Sequence, residues 1–385
     1  MAYTDRNVLQ VVRAARSAWV ARVGYWSAMT SERSLQGARD AGRLEELVRE
    51  HGLLAPARPV VVMLSGGRDS TCLLDLAVRV AGPSAVVALH VNYALRDAAD
   101  ADQRHCEQLC SALEVGLELR RPSAPRRGNL QAWARSQRYG AAAALALARG
   151  ADVAAGHTST DQVETILYRL ASSPSRRALL GMRSRDGALV RPLLAFTREQ
   201  TAAYCRARGL SWCEDETNDS TVYARGRVRG RLVPVLEEIH PAAQDNVLAL
   251  AELLRDEAEV LDSAVQEALD LARVDGARVG AARVDAGGVG AARVDTDEGV
   301  DQEALRVMPV ALARLVVQRL ADDAAGRAAP GAARRLPEIL ALGEGAALDL
   351  PHGVRAVCSG GVLRFVRTPA LQRGGARTTG REAPP

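Results

Sequence analysis

The sequence has 385 residues, of which 48% are hydrophobic and 3% aromatic, and it carries a formal net charge of +4. This length allows two domains with large cores, and the hydrophobic fraction is that of a globular protein. No apolar run approaches the about 20 residues that a membrane-spanning helix needs, so we expect no membrane association. The six cysteines include no paired Cys-x-x-Cys, which predicts reduced thiols and a cytoplasmic protein instead of a disulfide framework.

The charge is unevenly distributed along the chain. All 50 basic residues are arginine, and between Arg120 and Arg231 there are 20 arginines against 9 acids, a local net charge of +11. Such an asymmetry favours a surface that binds a polyanion such as a nucleic acid. The alternative is an arginine-rich surface that is merely solvated.

Strand and helix patterns alternate from Pro59 to about Arg198, which predicts an α/β fold with a doubly wound parallel sheet. Ligands of such sheets bind beyond the carboxyl ends of the strands. The apolar runs that we predict as strands are Val60–Leu64, Val86–Val91, Val115–Leu119, Asp152–Ala155 and Leu189–Leu194. The helices predicted between them are Thr71–Val80, Asp97–Leu113, Leu130–Ala148 and Thr160–Leu170.

The first strand turns into a helix through Ser65-Gly66-Gly67-Arg68-Asp69-Ser70. Free backbone N–H groups at a helix start bind anions, and glycines let a phosphate approach the backbone closely. The Ser65 and Ser70 hydroxyls add donors. Asp69 would repel a phosphate unless it holds a divalent cation, which predicts Mg²⁺ there. A glycine turn that binds nothing is the alternative.

Polar side chains follow two further strands. His90 ends the second strand, and His157 follows the fourth, just before Asp161 and Glu164. The two carboxylates are three residues apart, on one face of a helix that starts at the sheet edge. They could hold Mg²⁺ or a substrate ammonium. The alternative is that Asp161 pairs with the helix dipole and Glu164 is solvated.

Beyond Pro241 the sequence becomes helical, with leucines at helical spacing over Asn246–Leu271. Arg-Val-Asp recurs with a period of ten between Ala272 and Val300. We interpret this stretch as a low-complexity insertion, with a partner-binding repeat as the alternative. A helix is predicted for Asp301–Leu320, and a hairpin for Val354–Cys358 and Val362–Val366.

The predicted organisation is therefore an N-terminal extension over residues 1–50 and a catalytic α/β domain over 51–220. A helical substrate-binding domain follows over 221–345, with the insertion at 272–300. A small hairpin and a tail occupy 346–385.

Six motifs in order resemble the tRNA(Ile)-lysidine synthetase family of the PP-loop ATP pyrophosphatase superfamily. As they stand here, they are Ser-Gly-Gly-Arg-Asp-Ser at 65–70, His-Val-Asn-Tyr-Ala-Leu-Arg at 90–96, Asn-Leu-Gln-Ala-Trp-Ala-Arg-Ser-Gln-Arg-Tyr at 129–139, Gly-His-Thr-Ser-Thr-Asp-Gln-Val-Glu-Thr at 156–165, Arg-Pro-Leu-Leu at 191–194 and Trp-Cys-Glu-Asp-Glu-Thr-Asn at 212–218. The sequence departs from the family pattern at Tyr93 and Ala94, which replace His-Gly, at Thr160, which replaces an acid, and at Gly226, which replaces Asn.

The resemblance implies a Rossmann-like PP-loop fold and an ATP-dependent ligase that attaches free lysine to C2 of the wobble cytidine of an isoleucine tRNA with a CAU anticodon. It implies ATP and Mg²⁺ as cofactors and a monomer or homodimer. The implied catalytic residues are Asp69, Asp161, Glu164, Arg225 and Arg229; the implied ATP-binding residues are Ser65, Gly66, Gly67, Arg68, Asp69, Ser70, His90 and His157; the implied metal ligands are Asp69 and Asp161. The alternatives are another PP-loop tRNA-modifying or adenylating enzyme, or a non-catalytic tRNA- or nucleotide-binding paralog.

Overall fold

A computed structural model describes residues 41–95, 97–125, 129–173, 176–214, 224–274 and 299–368. The chain divides into two compact units, Met1–Leu253 and Leu254–Pro385. Within the described ranges, no helix combines the length and the apolar character that crossing a bilayer requires. The finer segment boundaries given above stay predictions, and most of the N-terminal extension lies outside the described residues.

The first unit is built around a six-stranded sheet with the order β3-β2-β1-β4-β6-β5. The strands from β3 to β6 run parallel along this order, and only the edge strand β5 is antiparallel to its neighbour β6. This confirms the predicted doubly wound parallel sheet. The strands are β1 (Val60–Met63), β2 (Val86–Val91), β3 (Gly116–Arg120), β4 (Asp152–Ala154), β5 (Arg185–Asp186) and β6 (Leu189–Val190).

Helices cover both faces of this sheet. The helices of the first unit are α1 (Ala41–Glu50), α2 (Arg68–Ala81), α3 (Ala99–Ala112), α4 (Leu130–Arg149), α5 (Ser159–Ser172), α6 (Arg198–Ala207), α7 (Ala224–Arg227) and α8 (Val233–Ile239). A long helix, α9 (Ala243–Ala272), begins in the first unit and ends in the second.

The central strand β1 shows why its sequence is apolar throughout. Val60 and Val62 pack into one hydrophobic cluster, with Leu73 and Leu76 of α2, whereas Val61 and Met63 pack into another. Successive side chains of a strand point to opposite faces, and here both faces are covered by helices. The sheet is thereby held rigidly beneath the loops that follow its strands.

The second unit contains a five-stranded antiparallel sheet with the order β7-β8-β11-β10-β9. The predicted hairpin is its central pair, joined through Gly360 and Gly361, which both have positive φ. The elements of this unit are β7 (Arg273–Val274), β8 (Gly299–Asp301), α10 (Gln302–Val307), α11 (Val310–Ala325), α12 (Leu336–Leu340), β9 (Ala347–Leu350), β10 (Val354–Ser359) and β11 (Val362–Arg367).

Two expectations for this unit need correction. The single helix predicted over Asp301–Leu320 is wrong, because the chain breaks at Pro309 between α10 and α11. Proline has no N–H and forces the residue before it out of the helical region. The predicted insertion at 272–300 also begins and ends in paired strands, since Arg273 and Val274 pair with Val300 and Gly299. The repeats between them, and the tail beyond Thr368, lie outside the described residues.

Candidate active site

The loop after β1 is shaped to receive an anion. Gly66 has φ +85°, and a Cβ there would lie 3.2 Å from the Sγ of Cys106. Gly67 is the N-cap of α2 and offers no side-chain cap to this helix of 14 residues. The start of α2 therefore presents backbone donors and the positive end of its dipole at the carboxyl edge of the sheet.

Two serine hydroxyls hold this loop in shape. The Oγ atoms of Ser65 and Ser70 lie 3.0 Å apart, and the Ser70 hydroxyl also donates to the Gly67 carbonyl oxygen over 2.8 Å. The Gly67 N–H donates to Ser65 Oγ over 3.3 Å. Because these contacts are internal to the loop, the two hydroxyls fix its shape.

Asp69 lies in the first turn of α2 and contacts α6. Its Oδ1 accepts hydrogen bonds from the Thr201 hydroxyl at 2.5 Å and from Arg68 Nε at 3.1 Å. Its Oδ2 lies 3.9 Å from Arg198 Nε. Gly156 packs on the same turn, because a Cβ on Gly156 would lie 3.1 Å from the Asp69 carbonyl. The end of β4 is thus in direct contact with the start of α2.

Asp161 uses its two oxygens for different purposes. Oδ2 accepts from the Thr158 N–H over 2.9 Å and from the Thr158 hydroxyl over 3.1 Å, which completes a capping box at the start of α5. Oδ1 accepts from Arg198 Nη2 at 2.9 Å. Burial acts to raise the pKa of Asp161, but Arg198 and the hydrogen bonds from Thr158 outweigh it and bring the pKa below its usual value.

Glu164 is buried, with 2% of its surface exposed, and it is held from two sides. Arg229 binds it with a fork, Nε to Oε1 at 2.5 Å and Nη2 to Oε2 at 3.0 Å. Arg198 Nη1 approaches Oε1 to 3.7 Å. Arg229 lies in a π-helical turn, Val228–Leu232, and Arg225 one turn earlier donates to the Thr165 hydroxyl over 3.3 Å. Both predicted arginines therefore contact α5.

Arg198 is the residue that joins these carboxylates, and the motifs did not identify it. Its guanidinium contacts Asp69, Asp161 and Glu164, which come from two different helices. We call these three acids with Arg198 and Arg229 the acidic cluster. A signal for Arg198 exists in the sequence, because Thr197 and Gln200 form a capping box that marks a helix start. A cation in the first turn of a helix opposes the dipole and therefore suggests an acidic partner nearby.

A second group of polar side chains has the opposite character. Within the described residues, the Nε atoms of Arg138 and Arg191, the Tyr139 hydroxyl and His157 Nδ1 are buried without a hydrogen-bond partner. We call Arg135, Arg138, Tyr139, His157 and Arg191 the basic cluster. Arg135 stacks over the Tyr139 ring at 4.4 Å. Burial lowers the pKa of His157 to about 4, with Asp161 opposing this shift and Arg191, Arg135 and Arg138 adding to it.

Arg191 shows how unusual the basic cluster is. Only 6% of its surface is exposed, and its Nη1 donates to the Arg183 carbonyl oxygen over 2.5 Å. Burial lowers its pKa below the usual value, and Arg135 and Arg169 add to the effect, while Tyr139 and Asp186 oppose it. A buried cation with an unpaired N–H is costly unless an anion compensates it. The basic cluster thus has the donors that a phosphate or a nucleotide requires.

His90, predicted to bind the cofactor, lies beneath the loop after β1. Its Nδ1 is 2.9 Å from the Leu64 carbonyl oxygen and 3.3 Å from Cys106 Sγ. With 4% of its surface exposed, it supports the loop from the inside. Burial lowers its pKa, and the Leu64 carbonyl opposes this shift. Its role in cofactor binding stays a prediction.

The two predicted metal ligands suit a Mg²⁺ site in which phosphate oxygens complete the coordination. Asp69 and Asp161 both turn an oxygen towards Arg198, so their carboxylates converge on one place. In the described ranges, no group of three or more His, Cys, Asp or Glu side chains could hold a metal ion. Mg²⁺ in nucleotide enzymes commonly takes one or two carboxylates together with phosphate oxygens. The residues present therefore fit a Mg²⁺ that phosphates share.

The chain is similar to known proteins over most of its length. Residues 38–236 match the family model of the PP-loop domain. A tRNA(Ile)-lysidine synthase from Symbiobacterium thermophilum is 36% identical over 347 residues, which cover 85% of this chain and 69% of that protein. The chain belongs to the tRNA(Ile)-lysidine synthase family.

Other members align over less of their length. The tRNA(Ile)-lysidine synthase of Pseudomonas putida is 37% identical over 55% of this chain and 51% of its own, and that of Thermus thermophilus is 39% identical over 56% and 43%. The chain thus spans about half the length, or less, of these two relatives. Among solved structures, the U34-tRNA thiolase NcsA from Methanococcus maripaludis aligns with a TM-score of 0.47 and 16% identity over 56% of this chain and 78% of its own.

Family membership confirms the resemblance that the ordered motifs predicted. The individual roles of the predicted site residues stay predictions.

Proposed function

We propose that this chain joins free lysine to C2 of the wobble cytidine in an isoleucine tRNA with a CAU anticodon. In the first step, O2 of the cytidine attacks the α-phosphorus of ATP and pyrophosphate leaves. In the second, the lysine amine attacks C2, loses a proton, and AMP leaves with O2. The carbonyl oxygen becomes a good leaving group only after adenylation, so both steps need one site that positions three reactants.

The ATP phosphates would bind at the loop after β1. Ser65, Gly66, Gly67, Arg68 and Ser70 surround the start of α2, where backbone N–H groups favour an anion. The unpaired Nε–H of Arg138 would supply a further hydrogen bond to a phosphate group, and the His157 ring would supply another in the tautomer that carries its proton on Nδ1. Mg²⁺ held by Asp69 and Asp161 would offset the phosphate charge when bound, and because only Oδ1 of Asp161 is free of Thr158, Asp161 would hold either Mg²⁺ or the lysine ammonium at one time.

Lysine would bind at the acidic cluster, and the arrangement of two carboxylates there is the observation that carries the proposal. Asp161 and Glu164 lie one helical turn apart on α5, both with an oxygen turned towards one cation. Two convergent carboxylates next to a phosphate site match a substrate that brings an amine to an adenylated base. Arg225 and Arg229, which contact α5, are placed to offset the charge of the leaving AMP.

The tRNA would bind through phosphate contacts on the arginine-rich segment from Arg120 to Arg231. Base identity at the wobble position would then matter for turnover more than for affinity, because phosphate contacts position the tRNA and the pocket reads the base. The cytidine has to leave its stack to reach the sheet edge. A cytoplasmic location and a monomeric or homodimeric state are part of this proposal.

The test is AMP release that depends on both the tRNA and lysine. Wild-type protein should release AMP only with ATP, the CAU-anticodon tRNA and lysine present, and Asp161→Asn or Glu164→Gln should reduce the rate at least about 100-fold. Glu199→Gln, which removes an exposed acid next to Arg198, is the matched control and should leave the rate unchanged.

The alternatives make different predictions in the same assay. A non-catalytic paralog would bind tRNA or nucleotide without releasing AMP. Another PP-loop adenylating or tRNA-modifying enzyme would release AMP without a requirement for lysine. Either result would contradict the proposed function.

A further inference from the structure

Arg198 occupies a position that is unfavourable for a cation. It is the first residue of α6, where the helix dipole opposes positive charge, and its side chain is only 20% exposed. Its backbone is fixed by the Thr197–Gln200 capping box, and its N–H donates to the Thr160 hydroxyl over 3.4 Å. The three carboxylates around its guanidinium therefore hold the charge in place from outside the helix.

Arg198 is held less tightly than Arg229, although both contact Glu164. Arg229 makes two hydrogen bonds to Glu164, at 2.5 and 3.0 Å. Arg198 makes one to Asp161 at 2.9 Å, while its distances to Glu164 and Asp69 are 3.7 and 3.9 Å. In addition, its buried Nε has no hydrogen-bond partner among the described residues. A bidentate pair is stronger and more geometrically specific than a single contact, so Arg198 is the cation that exchanges more easily.

The oxygens that face Arg198 are those that a substrate amine would need. Oδ2 of Asp161 is committed to Thr158, which leaves Oδ1, the atom bound by Arg198. On Glu164, both oxygens accept from Arg229, and Oε1 also faces Arg198. An ammonium placed between Asp161 and Glu164 would meet the Arg198 guanidinium at close range, and two cations there repel each other in a partly buried site.

We propose that Arg198 is an exchangeable counter-ion, whose guanidinium competes with an ammonium group of the substrate lysine for the oxygens of Asp161 and Glu164. Lysine binding then releases the Arg198 side chain, and Arg198 lowers the affinity for lysine while keeping the three acids paired. Arg198 is on this account a positioning residue that sets lysine affinity. The inference rests on the proposed function, since it concerns the same site.

The first test measures equilibrium binding of labelled L-lysine, with ATP replaced by its α,β-methylene analogue so that no turnover occurs. Arg198→Gln should bind lysine roughly tenfold more tightly than the wild type, a change within the range seen for close charge pairs. Methylguanidinium, added as a free cation, should bring the affinity of Arg198→Gln back towards the wild-type value. Arg206→Gln, which removes an exposed arginine from the same helix, is the control and should bind lysine as the wild type does.

A second test needs no variant, in case Arg198→Gln fails to fold with its three acids unpaired. An arginine-selective dicarbonyl reagent is applied to wild-type protein, and the modified peptides are quantified by mass spectrometry. Adding lysine should increase modification of Arg198 severalfold and leave Arg206 unchanged.

The outcomes separate the two proposals. If the wild type binds lysine, either of two results overturns the exchange alone. The first is an affinity for lysine in folded Arg198→Gln that is unchanged or weaker. The second is a modification of Arg198 that lysine leaves unchanged or reduces. A wild-type protein that binds no lysine overturns the proposed function and the exchange with it.

Discussion

The acidic and basic clusters lie at the same edge of one sheet but differ in how their polar atoms are paired. In the acidic cluster every carboxylate is paired with the chain's own arginines, including the fork of Arg229 on Glu164. In the basic cluster, the Nε atoms of Arg138 and Arg191 and the Nδ1 atom of His157 are buried with no hydrogen-bond partner within the described residues. The contrast indicates that the carboxylates of the acidic cluster are satisfied from within the protein, whereas the basic cluster keeps polar atoms that a bound anion would satisfy.

This contrast has an energetic consequence. Breaking a buried ion pair is costly because one charge is left unpaired, whereas removing an arginine whose buried Nε has no hydrogen-bond partner relieves a desolvation cost. Substitutions in the two clusters should therefore affect stability in opposite directions while both reduce activity.

The largest effect is expected for Arg229→Ala, which leaves the buried Glu164 without its fork. We expect a loss of about 3 kcal/mol in the free energy of unfolding, as for other broken buried pairs. The rate of AMP release on saturating tRNA should also fall, with only a modest change in tRNA affinity. Denaturant unfolding and single-turnover kinetics measure the two effects.

A double variant and a control complete this test. Arg229→Ala combined with Glu164→Gln should recover much of the stability but none of the activity. Arg231→Ala, which replaces an exposed arginine of the same turn, should change neither the stability nor the rate of AMP release. Normal turnover by Arg229→Ala, once tRNA is saturating, would remove Arg229 from the catalytic site.

The next effect concerns pH and His157. Its pKa is about 4 in the folded protein, against about 6.5 in an unfolded chain. Between these values the unfolded chain binds the extra proton, so the stability falls as the pH drops from about 6.5 and the loss is complete near 4. For this one residue the loss is at most about 3 kcal/mol.

His157→Asn should therefore flatten the dependence of stability on pH between 4 and 6.5 without abolishing it. His51 has a pKa that burial lowers to about 4, and burial also lowers that of His90, so a residual slope is expected. Unfolding measured at several pH values provides the comparison. An unchanged slope in His157→Asn would show that this histidine does not titrate as its burial requires.

Arg138→Met tests the basic cluster, where we expect a loss of activity without a loss of stability. The methionine keeps the apolar stem but removes a charge with a buried, unpaired Nε, so stability should stay equal or rise by about 1 kcal/mol. Affinity for the ATP analogue should fall about tenfold. Arg149→Met, an exposed arginine in the last turn of the same helix, should lose a few tenths of a kcal/mol and bind nucleotide normally. A destabilised Arg138→Met would mean that the basic cluster is satisfied internally after all.

The sequence was most informative where the site is local. The loop from Ser65 to Ser70 and the pair Asp161 and Glu164 lie within short motifs, so their spacing on a helix fixes their neighbours. The partners that come from distant segments were not predictable in this way. Arg198 and Thr201 reach Asp69 from a helix 129 or more residues further along the chain. Only the packing of α6 against α2 brings them there.

The same division holds for the fold. The parallel sheet was predicted from runs of four to six apolar residues that are buried on both faces, as in β1. The five-stranded sheet of the second unit was predicted only as a hairpin. β7 has two residues and β8 three, and such short strands carry no periodicity of their own. Their pairing depends on partners distant in sequence, such as Val362 and Leu363 for β8.

The smallest effect is expected for Thr160→Asp, which restores the acid that the family pattern has at this position. The Thr160 hydroxyl accepts from the Arg198 N–H at the start of α6, and Thr160 itself lies in the first turn of α5. An aspartate there would accept the same hydrogen bond and would interact favourably with two helix dipoles, which contributes about 0.5 kcal/mol. Repulsion from Asp161 and Glu164 opposes this gain. The melting temperature should therefore change by only a few degrees, and the Mg²⁺ concentration that supports half-maximal AMP release should fall no more than about threefold. Thr160→Ser, which keeps the hydroxyl, should match the wild type in both measurements. A large rise in Mg²⁺ affinity or in the rate of AMP release for Thr160→Asp would show that the missing acid limits metal binding. The three carboxylates of the acidic cluster would then be too few for the metal site.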